Sequence, residues 1–237
     1  MIRIIWICIL LFSCCLAACD SGDIYPGEKR IEEMKMNVNA VFHFENDEAF
    51  PQNYRMIWGA FVGTSPYPLA FELVEKPAEN RWKAASLQSL PQGTTYMALA
   101  LVEKTENRTI YIFKKFALDN ASTEINISET VDLATFERIQ AQIFTPQCIQ
   151  CHGAGGLAAN LDLTEGNAYS NLVNVPSHPD NSPKNRVTKH NLQNSFLLDV
   201  LVSRPATITT NHTTLSTLDA DDDVNLIRTW IVSENEE

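Results

Sequence analysis

Basic residues are scarce in this sequence. Lys and Arg number 18 against 29 Asp and Glu in 237 residues, a formal net charge of −11. Phosphate backbones are bound by dense Lys and Arg, so this balance excludes nucleic acid as an expected partner. Long apolar runs are missing after the first dozen residues, and no permanent membrane-spanning helix is expected further along. There is no internal repeat and no low-complexity tract. Cysteine is rare as well. Four of the six, Cys8, Cys14, Cys15 and Cys19, stand in the first nineteen positions. Only Cys148 and Cys151 remain for the body of the protein. What is present is ordinary for a folded chain: 45% hydrophobic and 20% charged residues, too apolar for a disordered one.

The first stretch reads as a leader. Met1-Ile2-Arg3 carries one positive charge, Ile4 to Phe12 is apolar, and small residues follow. That order is a secretory signal peptide over residues 1–18. Its end, Leu16-Ala17-Ala18-Cys19, resembles the lipobox of bacterial lipoproteins. The resemblance implies lipid on Cys19, which becomes the mature N-terminus and holds the protein to a membrane. The expected location is the cell envelope, facing the periplasm. Asp20 resembles the inner-membrane retention signal of enteric bacteria, a rule that does not transfer to all phyla, so the choice of membrane stays open. Residues 19–32 are the lipidated Cys and a polar tether.

Two patterns follow. Met36, Val38, Ala40, Phe42 and Phe44 alternate with mostly polar neighbours, the period of a half-buried strand. Further β-type runs stand at 54–62, 69–74, 82–87, 95–102, 109–116 and 124–127, separated by Asn, Pro and Gly turn chemistry. Seven short strands predict an antiparallel β-sandwich, immunoglobulin-like by default, over residues 33–131. From Leu133 the period changes: Phe136, Ile139, Ile143 and Phe144 mark one stripe of a helix that Pro146 ends or bends. Further helices are expected over 195–202 and 219–232, the last with an acidic first turn. That acidic run is not a calcium loop, because Val224 and Trp230 stand where Gly and Glu are required.

The chemistry sits at Cys148-Ile149-Gln150-Cys151-His152. C-x-x-C-H is the pattern of a c-type haem attachment site. Two thiols one helical turn apart can each join one vinyl group of a porphyrin, and the adjacent His can give its imidazole to the iron. Two other readings were weighed. A thioredoxin-like pair needs a βαβ context that is not visible, and a zinc site needs two more ligands at short spacing.

The C-terminal part resembles the planctomycete-type cytochrome c domains, single-haem modules of bacterial envelope proteins. The carriers are Phe136 and Ile139, then Cys148 to Gly153, Gly155-Gly156-Leu157, and Leu161-Asp162-Leu163. Tyr169, Leu172-Val173, Arg186-Val187, Ser195-Phe196-Leu197 and Leu226 to Ile231 follow in family order. The resemblance implies one covalent haem c, an all-α domain over 132–237, and His152 as the proximal ligand. Thr188 to Asn191 replace the family's Pro-Gly. The family's Met on the sixth iron position is missing too, because no Met follows Met97. His212 stands about where that Met would be and is the expected distal ligand, with His190 and then His178 as substitutes. Arg186 is a candidate partner for a haem propionate. Phe144, Leu157, Leu161 and Trp230 are expected to shield the haem.

The expectation is therefore an α+β multidomain chain, a β-sandwich followed by a cytochrome c domain. It would be a lipid-anchored, mono-haem electron-transfer protein rather than an enzyme, serving redox partner proteins that the sequence does not name. The alternatives are a haem sensor or peroxidase-like enzyme with an open iron site, and an envelope interaction module in which the haem is subsidiary.

Overall fold

Alternation of apolar side chains builds the strands. The computed structural model describes residues 33–76, 82–118, 122–155, 158, 160–178, 182–203, 205–208, 210–212 and 220–233. The expected leader, Cys19, the tether and Leu157 lie outside the described residues. Nine strands run in chain order: β1 (Glu33–Met34), β2 (Asn37–Glu45), β3 (Arg55–Phe61), β4 (Ala70–Leu73), β5 (Trp82–Leu87), β6 (Leu90–Pro91), β7 (Tyr96–Val102), β8 (Thr109–Ala117) and β9 (Glu124–Asp132). All seven runs read from the sequence hold a strand. In β2, Val38, Ala40, Phe42 and Phe44 are buried, while Val41 on the other face is exposed.

The strands form three sheets: β1-β6, β5-β2-β9 and β4-β3-β7-β8. The three- and four-stranded sheets meet through their apolar faces. Phe42 of β2 packs edge-on against Trp58 of β3 at 5.4 Å between ring centres, and Trp58 meets Phe116 of β8 at 5.7 Å. The opposite face of the four-stranded sheet buries a second cluster of Ile57, Phe61, Tyr96, Ala98, Ala100 and Val102. This explains why β3 and β7 are nearly continuous apolar runs rather than alternating ones.

Two parts of the expected fold class are overturned. The sandwich is not purely antiparallel: β2 and β9 run parallel from Asn37↔Glu124 to Glu45↔Asp132. A parallel pair needs a crossover, and here the whole four-stranded sheet is the crossover. Nor is the C-terminal part an all-α domain. Of the described residues, 34% are in strands and 25% in helices, in three sheets and about four short helices. Among the described residues after Asp132, these are α1 (Phe136–Ile139), α2 (Ala168–Leu172), α3 (Phe196–Val202) and α4 (Ala220–Val232). The chain between them is held by isolated bridges, Val173↔Val187, Pro176↔Asn185 and Asn185↔Ser195. The reason is local. Gly155, Asn160, Gly166, Asn174 and His190 all take positive φ, which a helix does not allow.

Residues 33–237 form one compact unit. Its main core runs without a break from Met36 on β2's side to Ile231 of α4. A buried polar chain joins the two stretches. Arg138, with 0% exposure, donates to the carbonyls of Ala49 and Leu133 at 2.8 and 2.7 Å. It also donates to Gln142 Oε1 at 3.1 Å, and Gln142 donates to Asp223 Oδ1 of α4 at 2.6 Å. Asp222 accepts the backbone N–H groups of Gln52 and Asn53. No described helix is long and apolar enough to cross a membrane.

Candidate functional site

Proline decides the local backbone that carries the cysteines. α1 passes directly into a wider, π-helical stretch, Gln140–Cys148, with Pro146 inside it. Pro has no N–H to give and crowds the carbonyl four residues back. The wider turn accommodates this, and the Ile149 N–H bonds to the Phe144 carbonyl five residues back. The expected helix stripe thus survives only in part: Ile143 and Phe144 are both buried, but on a widened coil.

The C-x-x-C-H segment then makes a tight turn. The N–H groups of Cys151 and His152 both bond to the Cys148 carbonyl, at 3.1 and 2.8 Å. Gly153 follows because nothing larger fits. A Cβ there would lie 2.8 Å from the Ile149 carbonyl oxygen, a backbone atom that cannot swing away. Cys148 and Cys151 are both free thiols. Burial, assisted by the Asp223 and Cys151 charges, pushes the Cys148 thiol up to about 12. At neutral pH it is protonated.

An apolar cleft opens beside this turn. It contains about 890 Å³ between its walls, open solvent included. Ile143, Phe144 and Cys148 form one side, and Leu161 and Leu163 another. The leucines flank Asp162, whose carboxylate ties the loop by accepting from Thr164 N–H at 2.9 Å and Thr164 Oγ1 at 2.6 Å. α3 supplies Phe196, Leu197, Val200 and Leu201, at the i, i+1, i+4, i+5 spacing of one helix face. That spacing was legible in the sequence; its use as a cleft wall was not. Ile208 had no signal that would have marked it.

Two histidines are neighbours on the cleft wall. The rings of His152 and His212 stand 6.2 Å apart between centres, with planes 23° apart. Each is oriented through Nδ1: His152 with the Ala158 carbonyl at 3.2 Å, His212 with the Thr210 carbonyl at 3.0 Å. A ring nitrogen that donates to a carbonyl fixes the tautomer and leaves Nε2 with its lone pair. Burial first, then the neighbouring His212 and Arg186, hold His152 below its ordinary value. It is therefore neutral near pH 7 and able to act as a ligand.

The other expected residues divide. Arg186 is on the cleft wall, held by the Asn171 and Asn160 carbonyls at 2.8 and 3.1 Å. His178 also lines the cleft. His190 does not; it is exposed at a turn with φ 61°, where its N–H bonds to the Ile231 carbonyl. Cys151 is exposed and is not part of the cleft wall. Of the expected shielding residues, Phe144 and Leu161 line the cleft. Trp230 instead packs 5.2 Å from Phe136 and 6.2 Å from Tyr169.

The arrangement can be tested against a haem. Metal–imidazole bonds run about 2.0–2.1 Å and a ring centre lies about 1 Å behind its nitrogen, so two imidazoles across one metal have centres about 6 Å apart. The observed spacing fits. The apolar walls, with the Cys148 thiol, His152 and Arg186 among their residues, have the chemistry that a porphyrin with propionates requires. The exposed Cys151 is the residue least engaged with the cleft. Among the described residues no three His, Cys, Asp or Glu side chains gather to hold a metal ion. A porphyrin iron needs only two ligands from the protein. No family model matches the chain, and no curated protein matches it significantly.

Proposed function

We propose that the protein is a mono-haem c-type cytochrome of the bacterial envelope, lipid-anchored through Cys19 and similar in its C-terminal part to the planctomycete-type cytochromes c. The observation that carries this reading is the pair of neighbouring imidazoles, His152 and His212, on the wall of an apolar cleft that Cys148 also lines. Haem c, when bound, supplies one-electron cycling of iron between its ferric and ferrous states.

The protein's own residues do the rest. Cys148 and Cys151 are the thioether positions, and the protonated state of Cys148 keeps it from disulfide exchange before attachment. His152 and His212 would hold the iron through Nε2, each ring held in place by a backbone carbonyl at Nδ1. An iron held by both imidazoles would have no position left for a substrate, which favours electron transfer over catalysis. Imidazole in place of a thioether also favours a lower potential. Leu161, Leu163, Phe144 and α3 exclude water, and a low-dielectric wall tunes the potential further. Arg186, fixed by two carbonyls, presents positive charge on the cleft wall and would pair with a propionate.

The test is spectroscopic. The chain is produced in a periplasm able to attach haem c, and oxidised, reduced and reduced-plus-CO spectra are recorded. Low-spin spectra without the sulfur–iron charge-transfer band of Met ligation and without a CO shift are expected. His212→Ala should open the site to CO. Low-spin spectra that persist in His212→Ala would move the ligand to His178. A chain that leaves the periplasm without haem would end the proposal.

A further inference from the structure

The outward face of the β5-β2-β9 sheet is open to solvent. Alternation along β2 turns Asn39, Val41 and His43 outward, opposite the buried Val38, Ala40, Phe42 and Phe44. The register sets Trp82 of β5 and Thr130 of β9 beside His43, and Ser86 and Asn126 beside Asn39. Trp82 is 50% exposed and Val41 39%. Ala84, Ser86, Asn126, Ser128 and Thr130 are exposed as well.

Three features of this face point to one ligand chemistry. The first is an aromatic platform. The Trp82 indole lies 4.7 Å from the His43 imidazole between ring centres, with planes 39° apart. That contact steadies the indole, and half of its surface still meets solvent. The face of an aromatic ring is electron-rich and attracts polarised C–H bonds. The second feature is a ladder of side-chain amides. Asn39 Nδ2 donates to Asn126 Oδ1 at 3.0 Å and to Glu124 Oε1 at 3.3 Å, and Asn126 Nδ2 donates to the same Glu124 oxygen at 3.4 Å. These contacts orient the amides without using every N–H and lone pair that they carry, so a hydroxyl can both give and accept there. The third feature is charge. The outward residues of the three strands include Glu45, Glu124 and Asp132, and no Lys or Arg among the described residues. Such a face repels anionic polymers and anionic membranes. Between platform and ladder the outward side chains, Val41, Ala84 and Ser128, are short. Four residues of strand separate His43 from Asn39, about 13 Å, which suits a chain rather than a single small molecule.

We propose that this face binds a neutral glycan chain built of equatorially substituted pyranose rings. Such a ring carries C–H bonds on its two faces and hydroxyl groups around its rim. One ring would stack on Trp82, and the hydroxyls of a ring further along would bond to Asn39, Asn126 and Ser86. None of these residues lines the cleft of His152 and His212, and the inference does not depend on the haem reading.

Titration calorimetry on the full chain tests it with cellohexaose, its N-acetylated counterpart chitohexaose, and cellouronate, the same backbone with a carboxylate on every ring. At least one neutral hexamer should bind, and cellouronate should bind at least about tenfold more weakly. Trp58 and Trp230 are buried, so a blue shift of tryptophan emission on binding should come from Trp82. Trp82→Ala should weaken the neutral hexamer at least about tenfold, as truncation of an aromatic anchor does, and Trp82→Phe should recover part of the loss. Asn39→Ala should weaken it too. Tyr67→Ala, an exposed aromatic outside this face, should change nothing. Circular dichroism checks that each variant is folded. Tighter binding of chitohexaose would assign the face to N-acetylated sugars, and tighter binding of cellohexaose to plain hexoses. No binding of either neutral hexamer, equal binding of cellouronate, or an affinity that survives Trp82→Ala would each overturn the proposal.

Discussion

Arg138→Met is the most informative single change in the scaffold. Arg138 is fully buried, and burial pulls its guanidinium down to about 10, partly offset by Asp222 and Asp223. Its three hydrogen bonds run to Ala49, Leu133 and Gln142, and Gln142 passes the link to Asp223 on α4. Met has similar length and no donors. The substitution leaves two buried carbonyls and one amide oxygen short of donors, and it removes the positive charge that faces Asp223. Removing one partner from a buried charged network costs about 3–5 kcal/mol. At roughly 2–4 °C per kcal/mol for a chain of this size, the midpoint should fall by roughly 6–20 °C. Urea and thermal unfolding, followed by far-ultraviolet circular dichroism, measure both numbers. Arg138→Met combined with Asp223→Asn should lose less than Arg138→Met alone, because no uncompensated charge remains. A loss below about 1 kcal/mol for the single variant, typical of a surface position, would refute the view that this chain of contacts locks the sheets to α1 and α4.

Three further outcomes are expected. Gly153→Ala should destabilise the protein by about 1–3 kcal/mol through the clash with the Ile149 carbonyl and lower the yield of haem-loaded protein, seen as a reduced absorbance ratio of Soret to protein bands. In chain made without haem attachment, iodoacetamide should label the exposed Cys151 well before Cys148, whose thiol is raised to about 12; mass spectrometry of peptides at timed intervals would show it, and equal rates would contradict it. Hydrogen bonds from Thr164 first, and then from the Gly155 backbone, hold the Asp162 carboxyl below its ordinary 3.8. A depressed carboxylate stabilises the fold above pH 3.8 and loses that contribution as pH falls through its folded value. Asp162→Asn should therefore flatten the acid limb of the stability profile below about pH 4 and leave its slope near neutrality unchanged.

The turn at 148–153 was legible because it is local: Cys148, Cys151, His152 and Gly153 stand within six residues, and their spacing predicts a tight turn. The strand positions were legible for a similar reason, since alternation in β2 is a property of nine neighbouring residues. The widened coil at 140–148 was only half legible: Pro146 announced a disturbance, but whether the chain ends, bends or widens there depends on what Ile143 and Phe144 must pack against. The pairing of His212 with His152 was inferred from a missing Met, a signal by subtraction. The same argument ranked His190 above His178, although only His178 lies on the cleft wall.

What the sequence determined by itself was the set of local states: which residues alternate, where helices begin and stop, and where two thiols and an imidazole share one turn. These follow from backbone sterics and short-range hydrogen bonds, which act over a few residues. What only the tertiary structure decided was everything that needs residues far apart to meet. β9 lies parallel to β2, Arg138 reaches Ala49 and Asp223 through one buried chain, and the Gln140 amide donates to the Leu163 carbonyl. None of these leaves a period or a motif in the chain, because each contact is selected by the burial of surfaces that become neighbours only when the whole core closes.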